Sequence, residues 1–140
     1  MLLLLCVFAS FFYWFVNPEF VNQFLIFRAS DFLRWKFWTP VTALFIHANF
    51  VHLIGNMLFL FVFGNTLEDT VGARKMFLAF FVGGIFSFII STFYYGSDIS
   101  MAGASAAIFT LTAIVMLIKP LKISWLFFMP LGLLSMLYYL

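Results

Sequence analysis

The chain has 140 residues, a length suited to one domain, and 66% of them are hydrophobic against 9% charged. That balance lies outside the range of soluble globular domains and marks a membrane protein. A net charge of +2, dispersed over several loops, argues against nucleic acid as a partner, and a single cysteine, Cys6, rules out a disulfide within the chain.

Charged side chains are costly at a bilayer centre, so charge-free runs delimit candidate spans. Five such runs, 1–18, 37–67, 76–97, 99–118 and 123–140, approach or exceed the roughly 18 residues that a crossing helix needs. Five spans of an all-α, polytopic helix bundle are therefore expected. The first run lacks a basic start and a small-residue cleavage site, so it reads as a retained span rather than a signal peptide. Asn17-Pro18 ends it. Residues 19–38 then mix charges with phenylalanine and tryptophan, a composition expected of a loop embedded in the membrane interface.

As one helix the 37–67 run would measure about 46 Å, well over the roughly 30 Å of hydrocarbon. Thr39-Pro40, Thr42, His47 and Asn49 interrupt its first third, so the second span is expected from Phe50 to about residue 66, with Asn49 as N-cap. The stretch 64–75, with paired acids, paired bases and two glycines, reads as a turn on the inner side. In the third span Ala79, Gly83, Ser87 and Ser91 recur every four residues, a stripe that admits a close helix neighbour. Lys and Arg near the span ends, four inside (Arg74, Lys75, Lys119, Lys122) against three outside (Arg28, Arg34, Lys36), orient the chain with its N-terminus inside.

A fourth helix over 103–118 would be only about 24 Å long. Pinned at its inner end by Lys119-Pro120, it must start below the outer surface, and a loop that dips into lipid requires a protein-lined or water-filled cavity. Gly103, Ala104 and Ser105 are the expected floor of that cavity. The fifth run contains Pro130 and Gly132, a candidate kink.

Ser105 stands in the first turn of that short helix, where unpaired N–H groups and the helix dipole favour a developing oxyanion. Simple helix capping is the alternative. His52 and Asn56, four residues apart on the second span, face one way; they are either oxyanion donors or a buried polar pair joining two helices. No H-E-x-x-H or cysteine–histidine cluster is present. Asp31, Asp69 and Asp98 all fall in loops, which disfavours an aspartyl site. No metal or cofactor is implied, and serine is the remaining nucleophile.

These residues carry a resemblance. The stretch FWTPVTALFIHANFVHLIGNMLFLFVFGNTLEDTVGARK (37–75) is similar to the W-x-x-x-T-x-x-x-x-H-x-x-x-x-H-x-x-x-N and L-E-x-x-x-G motifs of the rhomboid intramembrane serine proteases, and GASA (103–106) resembles their G-x-S-G. Thr39 and Ala106 depart from the family's usual arginine and glycine. The resemblance implies a six-helix bundle with an embedded loop after the first helix. It implies Ser105 as nucleophile, with His52, Asn56 and the Ser105 backbone N–H as oxyanion hole. Trp38, Thr42, His47, Glu68, Gly72, Arg74 and Gly103 take structural roles. The expected partners are transmembrane protein substrates and membrane lipids, and the expected location is the cell membrane, with the site opening to the outer face. The family's general-base histidine lies on the sixth helix, beyond Leu140 here. The resemblance thus implies a C-terminally incomplete domain that, as written, would not hydrolyse peptides at a useful rate, or else an inactive relative that binds transmembrane clients.

Overall fold

The computed structural model describes residues 1–139. Helix α1 (Leu2–Phe15) buries Leu2, Cys6 and Ser10, one residue per turn, and leaves Leu4, Phe8 and Phe15 exposed. A helix with a single buried stripe and an otherwise apolar surface suits a lipid-facing position. It stops before Asn17, whose Oδ1 accepts the Phe20 N–H at 2.9 Å and caps α2 (Pro18–Phe24), with Pro18 in the first turn where no N–H is needed.

Residues 25–49 form no long helix. A 3₁₀ turn (Ala29–Arg34), the short α3 (Thr39–Thr42) and a second 3₁₀ turn (Ala43–Phe45) follow one another. Hydrogen bonds tie this segment to itself and to the elements around it. Trp38 Nε1 donates to Phe24 O at 2.8 Å and Thr42 Oγ1 to Leu25 O at 2.8 Å, so these two motif residues clamp the C-terminal end of α2. Lys36 donates to Gln23 O and pairs with Asp31 at 3.5 Å. Phe27 and Met101 exchange two backbone hydrogen bonds, tying this segment to the loop before the serine.

Asn49 caps the next helix as expected, its Oδ1 accepting the His52 N–H at 2.9 Å. This helix is longer than the sequence suggested. It runs from α4 (Phe50–Phe59) through a π-helical stretch (Leu60–Gly64) into α5 (Asn65–Val71), a continuous 22 residues. The expected turn over 64–75 is therefore corrected: only Gly72, at φ +88°, turns the chain. Glu68 and Asp69 are exposed, so their charge costs nothing beyond the bilayer edge, and the helix continues through them.

Helix α6 (Ala73–Tyr95) has 23 residues, about 34 Å. It and Phe50–Val71 are the two helices, among the described residues, long and apolar enough to cross a membrane. Helix α7 (Ser105–Ile118) packs along α6. A Cβ at Gly83 would fall on the Thr110 side chain, and one at Gly84 would come within 2.6 Å of Leu44 Cδ2 and 3.0 Å of Ala107 Cβ. Leu44, Phe63, Phe80, Ile108 and Leu111 form the core where these helices meet.

The run 123–140 is not one helix. Ile123–Ser124 (β1) pairs antiparallel with Met129–Pro130 (β2), and only α8 (Leu131–Tyr139) is helical; Leu140 lies outside the described residues. Pro130 precedes the helix rather than kinking it, and Gly132 packs against Pro120, donating its N–H to Pro120 O at 2.8 Å.

The α6–α7 approach gives a direct test. Gly83→Val should destabilise the protein by about 1–3 kcal/mol or more through overpacking. Gly55→Ala, where a Cβ meets nothing within 4 Å, should be neutral or gain up to about 1 kcal/mol of helix stability. Thermal unfolding of the two variants in the same detergent measures the contrast.

Candidate active site

The start of α7 is held by two backbone donors. Gly103 N–H donates to Ala43 O at 2.9 Å, and Ala104 N–H donates to His47 Nε2 at 3.3 Å. The chain can make this approach because residue 103 is glycine. Its φ is +116°, and a Cβ there would lie 2.9 Å from His52 Cε1, 3.2 Å from His52 Nε2 and 3.8 Å from Asn56 Nδ2. The imidazole of His52 and the amide of Asn56 thus pack on the backbone two residues before Ser105, as their helical spacing suggested.

Ser105 is the first residue of α7, and its N-cap is Ala104, a residue with no side-chain oxygen to cap the helix. The first hydrogen bond into the helix runs from Ile108 N–H to Ala104 O, leaving the N–H groups of Ser105, Ala106 and Ala107 as the orphan donors of the helix start. Asn56 is buried, at 4% exposure, and its Nδ2 has no hydrogen-bond partner among the described residues. An unpaired buried amide costs about 1–3 kcal/mol.

Ser105 opens onto a groove of about 560 Å³ between α6 and α7, with Ser87, Ser91, Tyr95, Ala106 and Phe109 among its walls. The groove meets Ser105, but the floor expected of Gly103, Ala104 and Ser105 is corrected. Gly103 and Ala104 are buried behind the wall, held there by the hydrogen bonds to Ala43 and His47, and only Ser105 of the three reaches the opening. His52 and Asn56 do not line this groove. Ser87 and Ser91, read as a packing stripe, face it.

His47 is fully buried and precedes the helix that carries His52, so the two rings are not splayed by helical geometry; their centroids stand 5.2 Å apart at 70°. His47 Nε2 accepts from Ala104, and Nδ1 lies 3.1 Å from Ser10 Oγ. Burial, reinforced by the neighbouring His52, lowers the His47 pKa to about 4. The ring is neutral and both nitrogens are engaged. No group of three or more metal-ligating side chains occurs among the described residues. Glu68 and Arg74 are exposed, and neither forms an ion pair among the described residues.

Sequence reading missed Ser10 and Trp14. Ser10 Oγ donates to Phe45 O at 3.3 Å and accepts from His47 N–H at 3.1 Å, while Trp14 Nε1 donates to His47 O at 2.9 Å. Their period-four spacing with Leu2 and Cys6 is the signal in the sequence.

Comparison with known proteins bears on this geometry. The Rhomboid domain family matches residues 34–140, from the 3₁₀ turn after α2 to the end of the chain. The chain belongs to the rhomboid family. It is similar to the chloroplastic rhomboid-like protein 11 of Arabidopsis thaliana, at 36% identity over 85 residues, covering 61% of this chain and 29% of that protein. It is 32% identical to rhomboid-like protease 3 of Toxoplasma gondii over 56% of this chain and 30% of the relative. With the putative rhomboid protease YdcA of Bacillus subtilis it shares 33% identity over 54% and 38% respectively. The matched stretch spans about a third of each of these relatives. With its apolar helices, this rhomboid is an integral membrane protein.

Gly103 is the sharpest point of the site. Gly103→Ala in this rhomboid should lower stability by about 1–3 kcal/mol from backbone strain alone, before the His52 ring is displaced. A variant with unchanged thermal midpoint would mean that the loop relaxes freely, contrary to the close packing described.

Proposed function

We propose that this rhomboid is the catalytic core of an intramembrane serine endopeptidase that cleaves transmembrane segments of membrane-anchored proteins. The observation that carries the reading is the buried, unpaired Asn56 amide packed on the backbone that leads into Ser105. A donor left without a partner in the ground state is what stabilisation of a later negative charge requires. Two of the relatives are named as proteases, which favours the same reading.

In this mechanism Ser105 Oγ attacks the scissile carbonyl carbon and loses its proton to a base. The carbonyl oxygen becomes an oxyanion that accepts hydrogen bonds from the Ser105 N–H, Asn56 Nδ2 and His52. Collapse breaks the C–N bond, the amine leaves with the proton, and water then releases the acyl group. A helical substrate hides its carbonyls, so the segment cut must unwind locally. No metal or cofactor takes part.

His47 cannot be the base, because Nε2 accepts from Ala104 and its neutral form is stabilised by burial. His52 packs on Gly103 as a donor candidate. The mechanism therefore takes its base from a group other than these two histidines. The alternative reading is an inactive rhomboid-like protein that binds transmembrane clients. In either case α1 and α7 join Phe50–Val71 and Ala73–Tyr95 in the bilayer, residues 19–38 lie in its interface, and Ser105 faces the outer side of the cell membrane, in line with the Lys and Arg distribution.

The protein made from its full reading frame should react with a fluorophosphonate probe, and Ser105→Ala should abolish the labelling. Labelling that persists in Ser105→Ala removes the serine from its role; none in the wild type favours the client-binding reading. Asn56→Ala should slow cleavage of a transmembrane substrate by about 10²-fold while the protein still folds.

A further inference from the structure

Ser10 lies on α1, fully buried, and its hydroxyl makes three contacts that, together with the Ala104 N–H on the far side of the His47 ring, admit one hydrogen-bond arrangement. A hydroxyl has one proton and two lone pairs. The proton goes to Phe45 O, at 3.3 Å. Ser10 Oγ must then accept, taking the His47 backbone N–H at 3.1 Å and, at 3.1 Å, a proton from His47 Nδ1. With Nδ1 protonated and the ring neutral, Nε2 carries the lone pair that receives the Ala104 N–H. The opposite tautomer would set an Nε2–H against the Ala104 N–H, donor against donor.

We propose that Ser10 is a positioning residue for the reaction: it sets the tautomer of His47 and through it anchors the residue next to Ser105 at the start of α7. The proposal rests on the serine-protease reading for its kinetic consequence, but its hydrogen-bond chain stands on geometry alone. Ser10 touches neither the groove nor Ser105. It acts across three elements, from α1 through the 45–47 segment to the α7 start. Further hydrogen bonds brace the chain: Trp14 Nε1 donates to His47 O from α1, and Gly103 N–H donates to Ala43 O. Loss of the hydroxyl frees the imidazole to take either tautomer and leaves the Ala104 N–H without its acceptor for part of the time. The Ser105 N–H, the next along the chain, loses the fixed direction an oxyanion donor needs.

The test uses the full-length protein and Ser10→Ala, with Cys6→Ala as a control for lost packing one turn earlier on the same buried face of α1. Ser10→Ala is expected to lower kcat by about tenfold with KM nearly unchanged, and to speed hydrogen exchange at the Ala104 amide by about tenfold. The ¹⁵N spectrum of His47 should show the proton on Nδ1 in the wild type and at least partly on Nε2 in the variant. Cys6→Ala should lower the thermal midpoint and leave kcat, exchange and tautomer alone. Unchanged kcat and unchanged Ala104 exchange in Ser10→Ala overturn the proposal, as does a Cys6→Ala variant that reproduces the fall in kcat. If the wild type shows no Ser105-dependent cleavage, the protease reading fails, and exchange and tautomer judge the Ser10–His47–Ala104 chain separately. Should Ser10→Ala not fold, a wild-type His47 protonated at Nε2 is sufficient to reject it.

Discussion

Two backbone N–H groups, those of Gly103 and Ala104, donate into the segment 43–47, and the placement of the α7 start follows from them. A helix that begins inside apolar surroundings presents orphan donors that water would otherwise solvate. Here the two groups just before the helix are consumed by Ala43 O and His47 Nε2. The next three have no acceptor within the helix. The division between satisfied and unsatisfied donors falls between Ala104 and Ser105.

That division explains why so much of the chain between α1 and α4 avoids regular helix. Residues 25–49 bond one another in short turns and also reach outward: Trp38 to the end of α2, Phe27 to Met101, and Phe45 and His47 to α1 and the start of α7. A long helix over this stretch would keep its carbonyls to itself and leave α7 unanchored. The irregular segment is thus what anchors the start of α7. Helices α6 and α7, which meet through Gly83 and Gly84, supply the wall against which the arrangement is held.

The features legible in the sequence were those with a local cause. Asn49 as N-cap, the shared face of His52 and Asn56, and the break at Asn17-Pro18 each depend on residues within one turn of each other. The stripe Ala79, Gly83, Ser87 and Ser91 pointed to a close helix neighbour without naming it; at Gly83 that neighbour is α7, while Ser87 and Ser91 line the groove. Charge misled at 64–75, because acidic residues mark the edge of the bilayer and not the end of a helix that protrudes past it. Absence of charge misled at 123–140, where a short strand pair is as apolar as the helix after it. Ser10 was illegible because its role depends on His47, far away in sequence, and the apolar run around it offers only a period-four hint.

One irregularity remains inside the helix that carries His52 and Asn56. Over Leu60–Gly64 the hydrogen bonding widens to π, and Leu60, Val62, Phe63 and Gly64 are all buried there. Such a bulge holds one residue more than an α turn would. Removing a residue from it would restore the ordinary winding while both flanking faces keep their alignment, whereas a deletion elsewhere in the helix would swing one end through about 100°. The polar half bearing His52 and the half that reaches Gly72 are in this sense separate modules, joined at the one place in the helix where chain length can change without altering what either half presents.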